Sequence, residues 1–146
     1  MPQGFKDAIN AINDHFGDEL ALTAYASTPV AWMNVESDYA KGNVPWMRLT
    51  IFEGTGQRIR LGVEGCHRFT GSIVVQIFVR PGGGTKEIAE MADVVADILR
   101  VKQISKDDSG LIRTRTPSTS IQGVIVNGWY QVNVTASYFR DLNETT

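Results

Sequence analysis

Every second residue is apolar along Ile73, Val75, Ile77 and Val79, the period of a strand with one buried face. The period then changes. After Pro81-Gly82-Gly83-Gly84-Thr85, the residues Ile88, Met91, Ala92, Val95, Ile98 and Leu99 recur at i, i+3, i+4 and i+7, which lines one face of a helix of about 3.6 residues per turn. The spacing predicts a helix capped by Thr85 and running to Leu99, with Glu87 in its first turn and Arg100 in its last, each at the end the helix dipole favours. A second stripe, Phe5, Ala8, Ile9, Ile12 and Phe16, predicts an N-terminal helix stopped by Gly17.

Most of the remaining chain reads as strands. Leu20 to Tyr25 fits neither period, but Pro29 ends any helix before Val30-Ala31-Trp32-Met33-Asn34-Val35, a run of strand composition, and the polar Glu36 to Asn43 is a loop. From Trp46 to Phe52, Met47, Leu49 and Ile51 share one face and Arg48 and Thr50 the other, as in a half-exposed strand. Gly54-Thr55-Gly56 predicts a turn. Ile59, Leu61 and Val63 then alternate with Arg58, Arg60 and Gly62, predicting a second strand hairpinned to the first. Gly65 interrupts the chain before the long strand that ends at Arg80. Ser105 to Gly110 and Pro117 to Ser120 are polar connections with short strands between and after them. Asn127-Gly128 is a turn signal, and beyond it Tyr130, Val132, Val134, Ala136 and Tyr138 alternate with polar residues as a long half-buried strand. Strands flanking helices, joined by hairpin-length turns, predict an α+β fold: a mostly antiparallel β-sheet with helices packed on one face.

Length and composition narrow the class. A chain of 146 residues with 42% hydrophobic content suits one domain, 1–146, with enough apolar surface for a core. Fourteen basic residues against sixteen acidic ones leave no net field to draw the protein onto nucleic acid or an anionic membrane. The apolar runs fall far short of the roughly 20 residues that span a bilayer, and the N-terminus lacks a basic-then-apolar leader pattern, so the expected compartment is the cytoplasm. One cysteine, Cys66, forms no intrachain disulfide.

Little in the chain points to catalysis. Cys66-His67 sets a nucleophile beside a base, but neighbours in an extended strand face opposite ways, which leaves a half-buried thiol near a polar histidine as the better reading. His15 sits at the boundary of the first helical stripe. Two histidines and one cysteine do not make a zinc-type site, and Asp14, Asp18 and Glu19 lack the spacing of a calcium loop, so no metal and no cofactor are expected. The Pro81 to Lys86 linker joins strand to helix as a phosphate loop does, but Thr85 precedes Lys86 and no glycine immediately precedes the lysine; a flexible connection is the better account. Arg58 with Arg60, and Arg113 with Arg115, are period-2 pairs that set two cations on one strand face. Such a face is either solvated or, arginine being enriched at interfaces, a contact for carboxylates on a neighbouring subunit. These four arginines are the candidate subunit-interface residues. Three tryptophans and four tyrosines add amphipathic side chains of the kind that interfaces use, although core packing accounts for most of them.

Four strings in order carry a family likeness: Val30-Ala31-Trp32-Met33-Asn34-Val35, Pro45-Trp46-Met47-Arg48-Leu49, the stretch Arg68 to Phe78, and Gly128-Trp129-Tyr130-Gln131-Val132-Asn133-Val134. With the Gly-rich turn before an acidic amphipathic helix, they resemble the landmarks of tail terminator-like (tail completion) proteins of tailed bacteriophages, over about Ala8 to Tyr138. The segment from Ser105 to Ser120 and the tail from Asn143 to Thr146 match no landmark. The resemblance implies a structural virion protein, not an enzyme, that assembles in the host cytoplasm as a homo-oligomeric, hexameric ring. Such a ring caps the tail tube, ends its polymerisation and meets the head-tail connector protein. Its implied partners are further copies of itself, the tail tube protein and the connector. Each copy carries a formal −2, so DNA should pass through without specific binding, and no membrane is involved. Another head-tail joining protein, such as a head completion subunit, or a tail tube protein shares this size and fold class. A small-ligand-binding α+β domain would need a pocket of convergent polar groups, for which the sequence offers no candidate.

Overall fold

Phe5–Leu20 forms α1 and Lys86–Leu99 forms α2, and both lay their apolar stripes on one face of an eight-stranded sheet. In the computed structural model the described residues are 4–60, 66–106, 109–120 and 123–143. The strands are β1 Val30–Ala31, β2 Trp46–Arg60, β3 Cys66–Val79, β4 Gln103–Ile104, β5 Leu111–Thr114, β6 Ser118–Thr119, β7 Val124–Val126 and β8 Trp129–Asn143. Their order is β1-β2-β3-β8-β5-β4, with β6 and β7 also paired to β8. Among the described residues only β1 with β2 is parallel; every other pair is antiparallel, in line with the α+β expectation.

The three long strands fix which side chains meet the helices. Leu49 lies opposite Val75, and Val75 opposite Val134, so the buried members of β2, β3 and β8 form rungs of one apolar face. Against those rungs pack Ala8, Ile12 and Phe16 of α1 and Ile88, Met91, Val95 and Leu99 of α2. The α2 stripe is as its spacing predicts, but the Thr85 hydroxyl makes no capping bond and Arg100 lies just past the last turn. The first helix does not stop at Gly17. It continues to Leu20, because Leu20 adds a buried residue to the stripe and Gly17 sits against the Trp32 ring.

Three strand expectations need correction. Val30 to Val35 is a strand only at Val30–Ala31, after which Asn34, at φ 56°, bends the chain away. The predicted turn at Gly54-Thr55-Gly56 is instead the middle of β2, which runs unbroken to Arg60 and pairs with β3 along its length. Glu53 pairs with Gly71 and Gly56 with Phe69, so β2 holds one residue more than β3 over this stretch, a β-bulge. The two glycines are there for clearance. A Cβ on Gly54 would strike the Thr70 carbonyl, and one on Gly56 would lie 2.5 Å from Cε1 of Phe69. The second strand read from Arg58 to Val63 is therefore no separate strand where it is described, since Arg58 to Arg60 are the end of β2, and its remainder, like the link from β2 to β3, falls in residues 61–65, outside the described residues. At Asn127-Gly128 the turn stands: both residues have positive φ, 50° and 82°, as a two-residue hairpin loop between β7 and β8 needs. All three β7 side chains, Val124, Ile125 and Val126, are exposed, and among the described residues β7 pairs with β8 alone.

Candidate interaction surface

The face of the sheet turned away from the helices carries the candidate site. Side chains alternate along a strand, so with Val132, Val134, Ala136 and Tyr138 buried, the residues between them on β8 point outward. Two clusters occupy the ends of that open face. At one end Trp46 stacks on Phe78 with ring centres 4.1 Å apart, and Trp129 meets Trp46 edge-on at 6.1 Å. The loop before β2 folds over this cluster: Trp129 Nε1 donates to the Ala40 carbonyl at 3.0 Å, and Tyr39 lies against Trp46. Arg48 covers Trp46 and Phe78, and Arg80 covers Trp129 at 3.9 Å while donating to the Gly128 and Gly42 carbonyls.

At the other end Phe139 of β8 lies beneath three guanidinium groups, those of Arg68 at 4.6 Å, Arg115 at 5.0 Å and Arg113 at 5.6 Å from its ring centre. Each is within the distance at which a cation is attracted to the ring face. Register explains the gathering. Arg68 pairs with Asp141 across β3 and β8, and Arg113 with Phe139 across β5 and β8, so one sheet position collects residues far apart in sequence. Arg68 grips Asp141 with both arms of its fork, Nε to Oδ1 at 2.8 Å and Nη2 to Oδ2 at 3.0 Å, and Arg113 approaches the same carboxylate at 4.0 Å. The Arg68 hydrogen bonds hold the Asp141 carboxyl below its usual range, although partial burial works against them and the Arg113 charge adds to them. One carboxylate thus serves two of the three cations. Arg115 is exposed and has no ion-pair partner among the described residues.

The four arginines marked from sequence are not brought together. Arg113 and Arg115 share Phe139 on the open face. Arg58 lies opposite His67, two positions along from Gly56 and Phe69, which places it on the helix side of the sheet. The Arg60 side chain lies outside the described residues. Cys66 is buried at the start of β3, and His15 is half-buried with Nε2 2.9 Å from the Ile98 carbonyl. Gly82 and Gly84 adopt positive φ in an exposed turn before α2. Among the described residues no three His, Cys, Asp or Glu side chains form a cluster able to hold a metal.

Sequence reasoning passed over the most deeply buried charge. Arg140 is fully buried, its Nε 3.1 Å from Glu53 Oε1 and its Nη1 3.1 Å from the Ser109 carbonyl, with the rings of Phe69 and Phe5 at 4.6 and 5.3 Å. Burial, with the Glu53 carboxylate alongside, pushes the Tyr138 hydroxyl well above the ordinary phenol range. The signal was present: the alternation of buried positions on β8 runs on past Tyr138 to Arg140 and Leu142. The group ties β2 at its bulge to β8 and to the loop before β5. It is a strut behind the open face and takes no part in it. A shallow groove of about 520 Å³ beside β1 has Glu36 and Arg48 as its only charged lining residues, which is too little to orient a small ligand.

A family model described as phage tail terminator protein matches residues 9–138. A chain among the solved structures superposes with a TM-score of 0.68 at 18% identity, over 94% of this chain and 93% of that one, a likeness of fold. No curated protein matches.

Proposed function

Because the chain belongs to the phage tail terminator family, whose members are structural tail proteins, we propose that it caps the finished tail tube as a closed, hexameric ring of identical subunits, ends tube polymerisation and offers its far side to the head-tail connector. The observation that carries the reading is the family match over residues 9–138. The open sheet face supports it: arginines and aromatics gather there, the composition of a contact surface. Arg58, Arg60, Arg113 and Arg115 remain the candidate subunit contacts, with Arg113 and Arg115 best placed.

The physics of stacked rings gives the mechanism. A tube grows because each ring presents to the next a face complementary to its own opposite face, a heterologous contact that propagates without limit. Termination needs a subunit with one face matched to the tube and another that no tube subunit fits. The effect is stoichiometric, with one ring per tail. With each copy at a formal −2, the ring has no general attraction for phosphates and lets the genome through.

Deletion of the gene is expected to give filled heads without joined tails, together with tubes of irregular and excessive length seen by negative-stain microscopy. Purified protein added to growing tubes should restore a defined end. Tails of normal length that leak DNA at the head vertex would instead assign the protein to head completion.

A further inference from the structure

The two sides of this molecule are oppositely charged. Together α1 and α2 hold two lysines and eight carboxylates, a formal −6, in a chain whose total is −2, so the rest of the chain carries +4. On α2 the outward residues Glu87, Glu90, Asp93 and Asp97 are all exposed, and they form a stripe opposite the face that packs on the sheet. Asp97 is drawn toward Arg100 at 3.7 Å, and Tyr25 sits beside Glu90 and Glu87. From Glu87 to Asp93 the stripe extends along about 9 Å of helix axis, at about 1.5 Å per residue. Across the sheet, on the open face, Arg68, Arg113 and Arg115 lie within 5.6 Å of one ring centre, and Asp141 pairs with the first two of them. That patch is of similar extent to the stripe.

We propose that neighbouring copies in the ring meet face to back, the acidic outer stripe of α2 in one copy seating on the arginine patch around Phe139 of the next. The inference rests on the ring reading above and names the partner of its best-placed contact. Charge complementarity carries it. The patch has cations to spare, the stripe has carboxylates to spare, and the two lie on opposite sides of one two-layer molecule. A contact between unlike sides of identical subunits is heterologous and closes into a ring when its rotation divides a full turn. Phe139 gives the patch an apolar floor, and Arg113 and Arg115 present guanidinium forks that match carboxylates in pairs. Two copies cannot meet patch to patch or stripe to stripe without placing like charges together, so the same charges that hold the ring also reject back-to-back dimers.

The test uses the full-length chain and a mass measurement by light scattering over a range of concentrations, with thermal midpoints to confirm folding. One variant, Arg113→Glu with Arg115→Glu, makes both sides acidic; a second, Glu90→Arg with Asp93→Arg, makes both sides basic. Each alone is expected to fall to protomer mass, about six-fold below the ring, and a one-to-one mixture should recover the ring with the variants alternating. The milder Arg115→Glu should weaken the ring and make it more sensitive to salt, since screening acts over roughly 10 Å at 0.1 M. Rings of wild-type mass formed by either double variant alone, or a mixture that stays protomeric, would overturn the face-to-back contact and leave the ring reading standing. A wild-type chain that remains protomeric at every concentration and on tube ends would overturn the ring reading itself.

Discussion

Asp141 shows how one residue can organise a surface without leaving a trace in its own stretch of sequence. Its carboxylate is held in place by Arg68, 73 positions away in sequence, and by Arg113 from a third strand. The period-2 spacing of Arg113 and Arg115 was legible; Phe139, Arg68 and Asp141 were not, because register, not spacing, brings them together. Arg140 was hidden for another reason, since a charge at a buried position runs against the rule that reads burial from apolarity. The Arg68–Asp141 pair has a titration consequence. A carboxyl whose folded pKa lies below its unfolded value, roughly 3.9, contributes stability that is present above that value and is lost as pH falls through the folded pKa. Arg68→Gln should therefore lower stability measurably at pH 7, by the modest amount that a partly exposed ion pair supplies. In urea titrations the difference from wild type should shrink toward zero near pH 2. A difference of the same size at both pH values would mean that packing on Phe139, not the ion pair, is what Arg68 supplies.

Among the elements, α2 was read nearly to the residue because three full turns of period 3.6 have no rival interpretation. Its inner stripe carries much of the core. Met91 is 1% exposed beneath the helix, and Met→Ala at such a site costs about 2–5 kcal/mol, of a total that is commonly 5–15. Met91→Asp adds a buried charge to that loss, so it should unfold the protein or lower its thermal midpoint by many degrees, which circular dichroism would report. The long hairpin was misread for a reason that is also physical. A Gly-x-Gly in a sequence looks the same whether glycine supplies a turn or clearance, and here β3 approaches so closely that Gly54 and Gly56 have no room for a Cβ. At Asn127-Gly128 the reading held because asparagine before glycine is the pair that a doubly positive φ favours. Two-residue strands such as β1 and β6 are too short to carry any period of their own.

At the scale of the whole molecule, the layered plan leaves the sheet with one committed side and one available side, and β7 adds an available edge. The three aliphatic side chains of β7, Val124 59%, Ile125 65% and Val126 42% exposed, lie on a strand whose outer edge has no partner among the described residues. Within Val124–Val126 it has no lysine, proline or bulge of the kind that commonly guards the margins of soluble sheets. The expected consequence falls on storage and overproduction, before any tail exists: copies in a concentrated pool should template strand on strand, faster as concentration rises. Ile125→Lys should slow the growth of scattering in concentrated samples several-fold with the thermal midpoint unchanged, and a variant that turns cloudy as fast as wild type would place the sticky surface elsewhere. The useful lifetime of the free protein is then a matter of timing, set by how soon tail assembly takes each copy out of solution.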